Sequence, residues 1–237
     1  MWNLLNGFDF PILHWLNGYA GASDYVDYFA WRFGNNDLIK GGVMVGLLWG
    51  VWSLDRPGRG TTADMVRAIV GMVVAIFIGR ALQIFLPHRD RPAHESALDL
   101  KLPDNMPADA LDTWSSFPSD HAVLYVAIAV AIFWRARMVG ALALAWALVA
   151  IFLPRLYIGL HYPSDILLGG LLGAAVMAAA MTVPVPGPVL PAIERWRDRH
   201  PASFQALAFV AAFEAATQFR GSRFFAASLG YFLGLDL

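Results

Sequence analysis

Six long apolar runs, separated by polar connections, constrain this chain more than any other feature of its sequence. They extend from Leu38 to Leu54, Asp64 to Pro87, Phe117 to Trp134, Met138 to Pro154, Pro163 to Val183 and Ser203 to Phe219. A helix needs about 17–25 residues to cross a hydrocarbon core roughly 30 Å thick. In lipid every backbone polar group must be satisfied within the segment, so runs of this length predict α-helices. Lys40 lies near the end of the first run, where it can snorkel to the interface. The second run is apolar from Ala68 to Gly79 and then broken by Arg80. Gly169, Gly170 and Gly173 in the fifth suit close helix packing. Glu214, inside the sixth, is expected to form a structural pair. The last stretch, Phe224 to Leu237, is too short to span alone. Composition agrees: 58% of the 237 residues are hydrophobic and 15% charged, against about 45–50% and about 25% in soluble domains. That balance excludes a disordered chain, and a formal net charge of −1 gives no pull toward nucleic acid. With no cysteine there is no disulfide framework, thiolate nucleophile or Cys-type zinc site. The expectation is an all-α, polytopic membrane helical bundle of about six transmembrane helices, forming a single domain over residues 1–237.

The first 37 residues break the pattern. Asp9, His14, Asn17, Asp24 and Asp27 interrupt Phe8, Phe10, Trp15, Tyr19, Tyr25, Tyr28, Phe29 and Trp31. This mixture predicts a helix lying in the interface with its aromatic face in lipid. The competing reading is a poor transmembrane helix, an extra helix packed inside the bundle. No basic stretch precedes an apolar core, so a cleavable signal peptide is not expected. The Pro-rich piece Pro184 to Pro191 reads as a connection, since Pro ends the preceding helix. If the helices alternate, Arg56 and Arg59, Arg135 and Arg137, and Arg195, Arg197 and Arg199 share one side, which the positive-inside rule makes cytoplasmic. The loop His88 to Ser116, with Glu95, Asp99, Asp104, Asp109 and Asp112, then lies outside with the turn Arg155 to Tyr162.

Three polar clusters touch that external side, each at a helix end: Pro87-His88-Arg89-Asp90-Arg91-Pro92, Phe117-Pro118-Ser119-Asp120-His121-Ala122, and the stretch from Arg155 through His161 to Asp165. Arginine, histidine and serine with few carboxylates suit an anion, so no metal or other cofactor is expected. Arg offers a donor fork that matches phosphate oxygens, and a helix start at Ser119 to Ala122 offers free N–H groups. Asp165 lies four residues after His161, within reach of the imidazole on one helical turn. It would fix the ring so that the other nitrogen attacks phosphorus. His121 is placed to protonate the leaving oxygen.

These clusters resemble the signature of the type 2 phosphatidic acid phosphatase superfamily, integral membrane lipid phosphatases. Its pattern is a Lys seven residues before Arg-Pro, then Pro-Ser-Gly-His, then Ser-Arg-x5-His-x3-Asp. Arg91-Pro92, Pro118-Ser119-Asp120-His121, and Arg155, His161 and Asp165 carry it here. The resemblance covers roughly residues 38 to 183, leaving 1–37 and 203–237 as an extra N-terminal element and a C-terminal helix region. It implies His161 as nucleophile with Asp165 as its partner, His121 as general acid, and Arg91, Arg155 and Ser119 as phosphate ligands, without metal. Three positions depart from it. The Lys position is Ile84, with Arg80 or Gln83 as replacements. Pro154 stands for the Ser. Asp120 stands for the Gly, as in bacterial undecaprenyl-diphosphate phosphatases, and joins the phosphate-site set. Arg89 and His88 fall at the rim, within reach of a second phosphate. The resemblance implies a lipid phosphate or diphosphate substrate held in the bilayer of a bacterial inner membrane, undecaprenyl diphosphate at the periplasmic face first. Phosphatidate, phosphatidylglycerophosphate and lipid A 1-phosphate stay open, as do a lipid phosphotransferase and a non-catalytic lipid-binding or transport protein.

Overall fold

In a computed structural model of the chain, residues 2–53, 61–103, 106 and 114–232 are described, with backbone alone for 230–232. Arg56, Arg59, Asp104, Asp109, Asp112 and the residues after Phe232 lie outside the described residues. The fold is all-helical among the described residues. Its elements are α1 (Asn3–Asn17), α2 (Asp24–Asn35), α3 (Leu38–Ser53), α4 (Thr61–Phe85), α5 (Asp120–Arg135), α6 (Arg137–Tyr157), α7 (Pro163–Thr182), α8 (Val189–Arg199), α9 (Pro201–Ala216) and α10 (Arg220–Phe232).

Each of the six apolar runs forms a helix, and local chemistry sets its ends. Pro163 and Pro201 open α7 and α9 at positions whose N–H has no intrahelical partner. Ser119 caps α5. In α6 a π-helical stretch, Ala147–Phe152, leads into Pro154, which cannot donate back along the helix. The helices α4, α6 and α7 are long and apolar enough to cross a membrane, and α3 and α9 are shorter apolar helices. At the centre stands α5, on which α3, α4, α6 and α7 all pack. Its Ala122, Val123, Leu124, Ala127, Ile128 and Ile132 are buried, the all-round burial expected of a helix with apolar residues on every face.

The contact between α5 and α7 depends on glycine. A Cβ on Gly173 would lie 2.0 Å from the Val123 carbonyl oxygen, and one on Gly169 2.9 Å from the Ser119 carbonyl. Small residues let backbones approach in lipid, where packing and not water exclusion holds helices together. This approach also seats the start of α5 against the start of α7. At the opposite end of the bundle, Asp64 accepts from Arg67 at 3.0 Å and Arg135 at 2.9 Å. Arg67 reaches the Val183 carbonyl there, and Arg197 donates to the Thr62 hydroxyl. Glu214 accepts from the Ser222 N–H (3.1 Å) and hydroxyl (2.7 Å) at the start of α10, a structural pair.

Two expectations are corrected here. The N-terminal helix does turn Phe8 and Trp15 outward, but it packs on α7 and the end of α6 with Asp9, Leu13 and Leu16 buried. One face of it is therefore packed on the bundle, where the acid at its centre finds partners inside the protein, which corrects the picture of a helix with only its aromatic face engaged. Lys40 does not snorkel: it is 1% exposed, and its Nζ lies 3.6 Å from Asp37.

Candidate active site

The three clusters converge at one end of the bundle. A turn at Gly159, with φ +68°, brings the first cluster onto the third. The Ala93 N–H donates to the Gly159 carbonyl at 2.8 Å, and a Cβ on residue 159 would lie only 3.1 Å from that nitrogen. Glycine alone meets both demands without strain. Arg91, buried beside this turn, donates from Nη1 to the Leu160 carbonyl at 2.6 Å. It lies within electrostatic reach of Asp120, Asp165 and Arg80.

His161 is 1% exposed, and its Nδ1 lies 3.0 Å from the Ser116 carbonyl. A carbonyl only accepts, so Nδ1 carries the proton and Nε2 carries the lone pair. Burial lowers the basicity of the ring, with Asp165 opposing. The neutral imidazole is thereby favoured.

The expected direct bond from Asp165 is corrected. Its Oδ2 lies 3.8 Å from Nδ1, beyond hydrogen-bond range, so its influence on the ring is electrostatic. Oδ2 instead accepts the Tyr162 N–H at 2.8 Å, and Oδ1 accepts from Arg89 Nη1 at 2.6 Å. The reason is local: Tyr162 is extended (φ −80°, ψ 154°) and the helix begins at Pro163. The i,i+4 geometry therefore does not reach back to residue 161.

His121 is held differently. Its Nδ1 lies 2.7 Å from Asp120 Oδ1, and its Nε2 lies 2.7 Å from Arg155 Nη2. Arginine only donates, so Nε2 accepts and Nδ1 carries the proton. Arg155 also reaches the Gly34 carbonyl at 3.3 Å, and its buried Nε has no hydrogen-bond partner among the described residues.

Several expected phosphate ligands are otherwise engaged. Asp120, a carboxylate that would repel phosphate, bridges His121 to Arg80, whose Nη2 lies 2.9 Å from Oδ2. Arg80 also donates to Gln83 at 3.0 Å and lies over Trp114. Gln83 in turn donates to the Pro118 carbonyl at 2.9 Å, so it braces the turn before α5. Ile84 faces outward, 69% exposed. Arg89 is not at the rim: it is buried between Asp9 (2.7 Å) and Asp165. His88 remains at the surface, 3.3 Å from Asp90. The helix start is not an open anion nest either. Asp120 Oδ1 accepts the His121 N–H at 2.8 Å, and Ser119 Oγ accepts the Ala122 N–H at 3.4 Å. Ser119 keeps its hydroxyl proton to donate.

Arg91, Arg155, His121 and His161 thus form the candidate reactive group, with Arg155 within electrostatic reach of both rings and Ser119 at its edge. The sequence reading missed the site roles of Ser116, Gly34 and Asp9, which act through backbone carbonyls or across long separations. Only the lone acid in the aromatic N-terminal helix gave a signal.

A family model for the PAP2 superfamily matches residues 64–186, a little over half the chain and all three clusters. The chain belongs to this superfamily, the type 2 phosphatidic acid phosphatases. Among curated proteins, it is 32% identical over 113 residues to a protein of Escherichia coli (strain K12) named "Putative undecaprenyl-diphosphatase YbjG". That match covers 47% of this chain and 52% of the relative, so the chain spans about half the length of the curated relative it matches. No solved structure matches the chain.

Proposed function

We propose that the chain is a lipid phosphatase that works through a phosphohistidine on His161, without metal. The observation that supports this most is the pair of imidazoles within electrostatic reach of Arg155, each with an acceptor oxygen at Nδ1. Two reacting nitrogens, both Nε2, then remain for one phosphorus atom. Arg91 and Arg155 bind the phosphoryl oxygens, with Arg155 turning its Nε and Nη2 donors from His121 to phosphate. His121 Nε2, released by that turn, takes one proton from solvent before the first turnover, and Asp120 balances the resulting charge; each turnover then returns that proton to His121. His161 Nε2 attacks phosphorus while His121 gives its proton to the leaving oxygen. His121, now neutral, takes a proton from the water that attacks the phosphohistidine. Phosphate leaves, His161 regains its lone pair, and His121 is again protonated.

The substrate that fits best is undecaprenyl diphosphate, with undecaprenyl phosphate as the leaving group. An apolar groove of about 780 Å³, lined by Phe29, Phe33, Trp146 and Pro154 among others, includes the chain neighbours of Gly34 and Arg155 and suits a hydrocarbon chain. Arg135 and α8 stand at the end away from the site, so the positive-inside rule turns the site to the periplasmic face of a bacterial inner membrane.

Phosphate release from undecaprenyl diphosphate, phosphatidate, phosphatidylglycerophosphate and lipid A 1-phosphate, each with EDTA present, tests the reading. Release should be greatest from undecaprenyl diphosphate and unchanged by EDTA. Activity lost in EDTA and restored by a divalent ion would overturn the metal-free route. Phosphate appearing on another acceptor would favour a transferase. Because the chain has no cysteine, a Ser96→Cys variant reports orientation through labelling of intact cells by an impermeant maleimide.

A further inference from the structure

Asp9 is fully buried on α1, yet it makes no contact with the reactive group described above. Its Oδ2 accepts from Arg89 Nη2 at 2.7 Å and from the Ser164 hydroxyl at 2.6 Å, and its Oδ1 accepts the Ser164 N–H at 2.8 Å. The guanidinium it holds lies 3.7 Å from the centre of the Tyr162 ring and 5.1 Å from that of Trp2, another residue of the N-terminal segment.

Arg89 touches the nucleophile's surroundings by two routes. Through its side chain, Nη1 holds Asp165 Oδ1 at 2.6 Å. Through its backbone, its carbonyl accepts the Ser116 N–H at 2.9 Å, and Ser116 supplies the carbonyl that takes the His161 Nδ1 proton. A planar fork bonded on both sides is fixed in orientation as a lysine would not be. A buried guanidinium also needs its countercharges, and among the described residues Asp9 and Asp165 supply them.

We propose that Asp9 is a positioning residue for the nucleophile, acting through Arg89 on Asp165 and Ser116, so that α1 is part of the reaction machinery. The proposal rests on His161 being the attacking group. It accounts for a buried carboxylate at the centre of α1, and for the packing of that helix on α7.

The test is a cycle of Asp9→Asn, Arg89→Gln and the double variant, in the full chain in detergent. Asp9→Asn should lower kcat about tenfold, within the coupling range of contacting residues, with KM little changed. The double variant should be no slower than Arg89→Gln. Wild-type kcat in Asp9→Asn, or losses that multiply, would overturn the proposal. If Asp9→Asn does not fold, Arg89→Lys carries the same kcat prediction, because one ammonium cannot hold both carboxylates. A readout independent of turnover is the ¹⁵N spectrum of histidine-labelled protein. His161 should be Nδ1-protonated in the wild type and a tautomer mixture in Asp9→Asn or Arg89→Lys; unchanged tautomers would overturn the coupling. Absence of phosphate release by the wild type would refute the phosphatase reading alone, leaving the tautomer result to decide this one.

Discussion

The two histidines of the site sit in contrasting surroundings. His161 gives its Nδ1 proton to the neutral carbonyl of Ser116, with Asp165 at 3.8 Å. His121 gives its proton to the carboxylate of Asp120 at 2.7 Å, itself paired with Arg80. A carbonyl fixes the tautomer without strongly favouring an imidazolium. A carboxylate in contact also fixes the tautomer, and it can steady a positive charge on the ring once Arg155 no longer faces Nε2, as in the triad logic of hydrolases. In the proposed mechanism the first ring keeps a lone pair and attacks, and the second carries a proton away and returns it. The same residue type would serve two roles there because its Nδ1 partner differs.

The largest break in this contrast is His161→Ala, which should lower kcat about 10⁴-fold or more, the scale of losing a nucleophile. No labelled phosphoprotein should form. His121→Ala should cost less, about 10²–10⁴-fold, the usual share of general acid–base catalysis. It should let phosphoprotein build up from substrates with good leaving groups, since its base role falls in the second step. Rapid-quench labelling with ³²P-substrate separates the two. Equal losses without any phosphoprotein would make the two rings equivalent and remove the contrast. Asp120→Asn keeps the shape beside His121 but removes the charge, and should lower kcat about 10²-fold, the lower end of the same range.

What the sequence disclosed follows the range of the forces involved. The six helices were legible because hydrocarbon thickness imposes a length on every one of them. The three clusters were legible because their spacings are local. The glycines of α7 were legible as packing residues, although the 2.0 Å approach at Gly173 was not. The role of Arg89 was hidden because its partners are Asp9 and Asp165, about eighty residues away on either side. A rim residue and a buried hub look alike when only neighbours in sequence are visible. Lys40 failed for a related reason: snorkelling presumes lipid around the helix end, whereas α2, α9 and the π-helical part of α6 pack there. The direct His161–Asp165 hydrogen bond failed because helical spacing was applied two residues before the helix begins, which leaves the pair at 3.8 Å.

A finer test concerns pH. His161 must be neutral to attack, and burial lowers its basicity. The acid limb of kcat/KM should therefore fall below the ordinary histidine value of about 6.5. Activity should hold as pH falls past that value and then decline as His161 takes a proton. Asp165 stabilises that proton, so Asp165→Asn should move the limb lower still while reducing kcat about tenfold, equivalent to one pKa unit of interaction. A limb that moves upward would place Asp165 on the other side of the balance.

The smallest effect expected is that of Ile84→Lys, which restores the residue the superfamily pattern carries at this position. Its side chain is 69% exposed and points away from the site, while Arg80, four residues earlier, pairs with Asp120 on the His121 side. A lysine at 84 has no path to phosphoryl oxygens bound, as proposed, by Arg91 and Arg155 unless α4 rotates. The change in kcat/KM should stay within about twofold, the range of surface substitutions. Arg80→Gln, by contrast, removes the outer countercharge of Asp120 and should lower kcat more than Ile84→Lys changes it. A large gain from Ile84→Lys would mean that the start of α5 and the end of α4 shift together when substrate binds, and the cation serving the His121 side would then be residue 84.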